Sequence, residues 1–116
     1  MNPATPFFID THCHLDAAEF DTDRDAVYAA AIAAGVDTLV IPAVSRDDFA
    51  AVAATCARYP GCLPAWGLHP MYIGVHRPEH LTDLRAQIEA QRPVAVGEIG
   101  LDRFVDLDYA TQEYFC

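Results

Sequence analysis

Four short apolar runs punctuate the chain, beginning near residues 7, 37, 62 and 94. They are Phe7-Phe8-Ile9, Thr38-Leu39-Val40-Ile41, Cys62-Leu63-Pro64-Ala65-Trp66 and Val94-Ala95-Val96-Gly97-Glu98. Each is long enough for a buried strand and too short for a helix. Helical patterns fill the intervals, so strand and helix alternate with a period of 25 to 32 residues. That alternation predicts an α/β fold of βα units around a parallel sheet, with apolar strands buried on both faces. A closed (β/α)8 barrel needs about 250 residues, or about 31 per unit. The 116 residues therefore suit the N-terminal half of such a barrel. A free-standing, doubly wound sheet of four strands is the competing architecture. Two features favour the half-barrel: polar residues cluster just past the first, third and fourth strands, and the last helical pattern stops after two turns. The expectation is one truncated, partial barrel domain over residues 1–116, about four βα units ending inside the fourth helix.

Local signals mark the elements. Thr22 and Asp25 form a capping-box pattern ahead of Val27, Tyr28, Ala31 and Ile32, and Gly35 occupies the usual C-terminal stop. Ser45 and Asp48 repeat the box before Phe49, Val52, Ala53 and Cys56, which share one helical face. Residues Met71 to Arg77 read as a loop. Pro78 opens a third helix whose inward face is Leu81, Leu84 and Ile88, and Arg92-Pro93 closes it.

Charge and cysteine usage exclude several classes. Seventeen acidic residues against seven basic ones give a net charge of −10, and the bases are scattered arginines with no lysine. Such a chain lacks the clustered cations of a protein that grips polyanions electrostatically, though a compact phosphate site built on a metal ion remains open. No apolar run approaches the length of a membrane helix, and the first residues lack a signal-peptide pattern. No membrane partner and a cytoplasmic location are expected. Cys13, Cys56, Cys62 and Cys116 show no C-x-x-C spacing and read as reduced thiols, buried at Cys56 and Cys62.

The candidates for chemistry lie at strand ends. His12 and His14 are two apart on an extended segment, so both imidazoles face one way and can grip one divalent ion. The competing reading is a chance pair making helix-cap contacts. Asp10 shares their parity, as a ligand or as a partner orienting an imidazole through its other nitrogen. Glu98 ends an apolar strand between Gly97 and Gly100, where a charge is costly unless paired or metal-bound; an edge carboxylate in water or beside an arginine is the alternative. His69, in Gly67-Leu68-His69-Pro70, fits hydrogen bonding to a substrate or a structural loop contact equally well. His76 and His80 are expected on the solvated surface. Asp102 either orients a ligand or caps the following turn. Gln112 reads as helix surface, with packing beneath the site as the alternative.

Three blocks together carry a resemblance: Phe8-Ile9-Asp10-Thr11-His12-Cys13-His14-Leu15-Asp16, then Gly67-Leu68-His69-Pro70, then Val96-Gly97-Glu98-Ile99-Gly100-Leu101-Asp102. In order and spacing they resemble the TatD family of metal-dependent deoxyribonucleases, among the amidohydrolase-like barrels, over the whole chain. The resemblance implies a (β/α)8 fold and hydrolysis of nucleic-acid phosphodiesters by metal-activated water. It implies that His12 and His14 bind a first divalent ion, that Glu98 bridges it to a second, and that His69 lies near the scissile phosphate. The family's two further histidines and late aspartate have no counterpart here. The complete enzyme is thus expected to use two ions (Mg, Mn or Zn) and DNA as substrate. This chain is expected to hold at most one ion weakly and to be inactive or nearly so alone. Two alternatives stand beside it. One is a PHP-type or other amidohydrolase-like metallohydrolase, against which the Gly-Glu-Ile-Gly-Leu-Asp block argues. The other is a non-catalytic half-barrel that self-associates through its open sheet edges.

Overall fold

The computed structural model describes residues 7–105 and 109–116. Four parallel strands, β1 (Phe8–Asp10), β2 (Val36–Pro42), β3 (Cys62–Trp66) and β4 (Ala95–Val96), lie in the order β1-β2-β3-β4. The helices α1 (Arg24–Ala33), α2 (Phe49–Arg58) and α3 (Pro78–Ala90) make the crossovers, and α4 (Tyr109–Phe115) follows β4. Sequential order with helical crossovers is what the right-handed βα unit dictates. The sheet curls into a half-barrel.

Register follows the apolar runs. Leu39, Val40, Ile41 and Pro42 pair with Cys62, Leu63, Pro64 and Ala65, while Ala65 and Trp66 pair with Ala95 and Val96. The core sits between the two central strands and the layer behind them. Trp66, Ile41, Val52, Leu15 and Leu68 are the largest fully buried apolar side chains. Trp66 meets the Phe49 ring edge-on at 5.4 Å, and its indole N–H donates to the Gln91 carbonyl at 2.8 Å. The outer strands depart from the expectation of burial on both faces: Phe8, Ile9 and Val96 are all more than half exposed. Among the described residues, each outer strand has a neighbour on one side only.

Local departures have identifiable causes. The Thr22/Asp25 box does not form; α1 begins at Arg24 behind Asp23, with no side-chain cap. Asp25 is instead taken by the Tyr59 hydroxyl and by Arg58 Nη2 at 2.7 Å. The Ser45 box does form, with the Ser45 amide and hydroxyl donating to Asp48 Oδ2 at 3.1 and 3.0 Å. It opens a 3-10 turn, Arg46–Asp48, that runs into α2. Gly35 adopts φ 91°, the left-handed stop expected of it. The stretch after β3, read as a loop, is wound into a 3-10 segment, Pro70–Val75.

Candidate metal centre

The segment after β1 continues the ladder for one more step. Cys13 N–H donates to the Val40 carbonyl at 3.0 Å, and Cys13 packs against the core. Its neighbours on either side, His12 and His14, project the opposite way by the alternation of extended chain. Leu15, fully buried, anchors the turn that follows. Arg24 then clasps that turn from α1. Its Nε donates to the Leu15 carbonyl at 2.7 Å, and its Nη2 reaches the carbonyls of Asp16 (3.3 Å) and Ala17 (2.7 Å) and Asp21 Oδ1 (2.8 Å). Nothing in the sequence signalled this role, because three of the four partners are main-chain oxygens.

Glu98 reaches the same place from the far side of the sheet. Two strands separate β4 from β1, so register alone would leave the carboxylate remote. The chain therefore leaves the ladder after Val96. Gly97 N–H donates to the Trp66 carbonyl at 2.9 Å, and Glu98 N–H passes over β3 to the Ala43 carbonyl, past the end of β2, at 3.0 Å. Gly67 makes the crossing feasible. A Cβ there would stand 2.6 Å from Gly97 C, 2.7 Å from Glu98 O and 2.9 Å from Glu98 N. The close approach is at Gly67 and not at Gly97, where an added Cβ meets nothing within 4 Å.

Three ligand atoms converge as a result. His12 Nε2 and His14 Nε2 are 3.1 Å apart, and Glu98 Oε2 lies 3.5 Å from the first and 3.2 Å from the second. The imidazoles are half exposed, whereas Glu98 Oε2 is buried and accepts no hydrogen bond. A buried carboxylate oxygen without a donor is costly, and two imidazole nitrogens aimed at it complete a donor set suited to a divalent cation. Two histidines and a glutamate, with further positions left to water or substrate, is a known hydrolytic coordination pattern. The residues present fit a metal ion.

The other Glu98 oxygen faces His69, whose Nε2 lies 3.3 Å from Oε1. Met71 N–H donates to His69 Nδ1 at 2.9 Å, so in the neutral ring the hydrogen resides on Nε2, the edge turned toward the centre. The His69 carbonyl is held as well, by Tyr72 N–H at 3.1 Å and His76 Nε2 at 2.9 Å. His76 is therefore a buried group, contrary to the expectation of a solvated one. Phe115 covers its ring at 5.4 Å, and burial lowers its pKa from the ordinary 6.5. His80 is half-buried, and its Nδ1 accepts the Arg77 amide at the start of α3.

The remaining candidates resolve as scaffolding. Asp10 Oδ1 accepts the His12 amide at 3.1 Å rather than orienting an imidazole. Asp102 caps the turn after it, accepting Phe104 N–H at 2.8 Å. Gln112, read as helix surface, is 1% exposed. It accepts the Asp102 amide at 2.7 Å and donates to the Asp102 carbonyl at 3.0 Å. Asp16 Oδ1 is buried without a partner, and burial raises its pKa. Cys62 is buried as expected and Cys56 only half-buried, and burial pushes their thiols up to about 11 and about 12. All four cysteines are free. Among the described residues, no helix is long and apolar enough to cross a membrane. The centre opens into a cleft of about 510 Å³ that includes Thr11, Val40, Pro42, Val96 and Leu101, with no arginine in its lining.

A parallel half-barrel with a histidine-histidine-glutamate cluster able to hold a metal ion at its carboxyl mouth defines the class of β/α protein. The chain belongs to the TatD-related DNase family, whose pattern matches residues 9–115. It is 43% identical over 102 residues to a protein named uncharacterized metal-dependent hydrolase YjjV from Escherichia coli (strain K12), covering 85% of this chain and 39% of that one. It is 36% identical over 93 residues to the 3'-5' ssDNA/RNA exonuclease TatD of Cronobacter turicensis, covering 80% of this chain and 35% of that one. The crystal structure of Escherichia coli YjjV superposes with a TM-score of 0.83 at 39% identity, over 93% of this chain and 43% of that one. The chain thus spans about two fifths of the length of these relatives.

Proposed function

We propose that this chain supplies the N-terminal share of the catalytic centre of a divalent-metal-dependent hydrolase that cleaves phosphodiester bonds in nucleic acid, DNA foremost. Residues 1–116 form one partial barrel domain in this reading. His12, His14 and Glu98 are the metal ligands, and His69 is the catalytic hydrogen-bond donor. The observation that carries the reading is the orphaned, buried Glu98 Oε2 facing two imidazole nitrogens at 3.2 and 3.5 Å. A bound ion of Mg, Mn or Zn would supply Lewis-acid stabilisation to a phosphoryl oxygen and acidify water. The chain's own residues do the rest. Glu98 divides its carboxylate, with Oε2 toward the histidine pair and Oε1 toward His69. His69, its Nδ1 already engaged, offers Nε2–H to a phosphate oxygen brought into the mouth. The names of the relatives support the substrate class, and free cysteines support a reducing, cytoplasmic setting.

Titration calorimetry with ZnCl2 and MnCl2 tests the ligand set. The wild type takes up one ion weakly and a His12→Ala, His14→Ala double variant takes up none; equal uptake by both overturns the assignment. The chain alone, with three protein ligands, shows little cleavage of single-stranded DNA above metal-free controls. A second reading rests on the outer strands, where Phe8, Ile9 and Val96 stand exposed. Unpaired strand edges invite pairing, so the chain self-associates, and sedimentation mass should rise with concentration. A monomer at all concentrations excludes that reading.

A further inference from the structure

The charge distribution poses a question about how nucleic acid would be held at this mouth. The chain carries −10 overall and no lysine, and no arginine lines the cleft. Two further arginines are committed elsewhere: Arg58 is paired with Asp25 at 2.7 Å, and Arg46 with Asp83 at 3.3 Å. Within this cleft no side-chain cation is available to a phosphate outside the metal centre, so the part of the mouth built by this chain would grip a polynucleotide through its bases. Base stacking on aromatic faces is the general solution for single strands.

One aromatic ring is placed for it. Tyr72 is 45% exposed on the 3-10 segment that follows His69, with Met71 beside it at 61%. Its ring centroid lies 5.9 Å from that of His69, with the planes near perpendicular at 79°. The backbone beneath is fixed: Tyr72 N–H donates to the His69 carbonyl, Met71 N–H donates to His69 Nδ1, and His76 Nε2 holds the same carbonyl. An exposed ring on a pinned backbone is a preorganised surface, and it loses little freedom when a flat ligand covers it.

We infer that Tyr72 is the stacking platform for a nucleobase of single-stranded nucleic acid whose phosphodiester lies at His69 and Glu98. The inference rests on the nucleic-acid reading above and adds a subsite to it. Recognition of this kind accepts any base, because every base has a π-face. It requires an unpaired strand, because a base inside a duplex has no free face to offer.

Fluorescence anisotropy of a 5'-labelled dT octamer, measured on the full 116-residue chain with MnCl2, tests this. An abasic octamer with the same phosphates serves as comparison. The wild type binds dT8 about tenfold more tightly than the abasic strand. Tyr72→Ala loses that advantage, Tyr72→Leu loses it as well, and Tyr72→Phe keeps it. Thermal melting confirms the fold of each variant, which the exposure of Tyr72 leaves undisturbed. Equal binding of dT8 and the abasic strand by the wild type overturns the inference, and so does unchanged dT8 binding by Tyr72→Ala; neither touches the nucleic-acid reading. A wild type that takes up manganese yet binds neither strand overturns both.

Discussion

Replacing Gly67 by alanine tests the account of how Glu98 reaches the histidine pair. The added Cβ would stand 2.6 Å from Gly97 C, 2.7 Å from Glu98 O and 2.9 Å from Glu98 N. Carbon atoms pack comfortably at about 3.5–4.0 Å, so the Gly97–Glu98 backbone must retreat by roughly 1 Å. All three clashing atoms are main chain, so no side chain can absorb the shift. The retreat stretches the bonds from Gly97 N–H to Trp66 O and from Glu98 N–H to Ala43 O, now 2.9 and 3.0 Å, past the hydrogen-bonding range. Overpacking of this kind costs about 1–3 kcal/mol, and in a domain near this size each kcal/mol lowers Tm by about 4–8 °C. Metal ligands tolerate displacements of only about 0.2 Å, so zinc affinity should fall by about tenfold or more. Calorimetric zinc titration and thermal melting of the metal-free chain read the two effects separately. Gly74→Ala is the internal control, because a Cβ there meets nothing within 4 Å; it should leave both values unchanged. A Gly67→Ala chain with wild-type melting and wild-type zinc affinity would refute the close-approach argument.

Two further perturbations follow from the surroundings of the centre. Arg24→Gln removes the clasp on the carbonyls after His14 and should cost about 2 kcal/mol or more, with weakened zinc uptake. Arg24→Lys should fall between, since an ammonium lacks the planar fork; wild-type melting and uptake in both variants would exclude the role. Burial holds His76 below its ordinary pKa of 6.5, so the unfolded chain accepts a proton that the folded chain resists. The stability gained by keeping it neutral is present above that value and is lost as pH falls through the folded pKa. Melting temperatures taken from about pH 7 to 5 should decline less steeply in His76→Gln than in the wild type, and identical slopes would dismiss the assignment.

What the sequence made legible was whatever depends on local spacing. The four strands were readable because apolar runs of that length bounded by glycine and proline have few other uses, and Gly35 announced its left-handed turn. His12 and His14 share a face through simple alternation. Long-range packing was not readable. His76 sits in a stretch without strand or helix periodicity, between Gly74 and Pro78, yet the His69 carbonyl and the Phe115 ring bury it. Gln112 lies one helical turn from the end of the chain and gave no sign that it would satisfy both backbone groups of Asp102. Thr22 and Asp25 matched a capping pattern, but Tyr59 and Arg58, more than thirty residues away, claimed the aspartate first. Gly67 looked like an ordinary glycine at a strand end, and its purpose emerges only when another stretch of backbone passes over it.

The amide of Glu98 hangs from the carbonyl of Ala43, a main-chain group just past the end of β2. The reach of the carboxylate is therefore set by the trace of the chain over the bare Cα of Gly67, while the side chains of Val94, Ala95 and Val96 are exposed. Substitutions in this stretch can drift freely so long as the count of residues between Val94 and Glu98 holds. Lengthening or shortening that span by a single residue would turn the acid toward the wrong face, so an insertion there should prove more damaging than almost any exchange of one side chain for another.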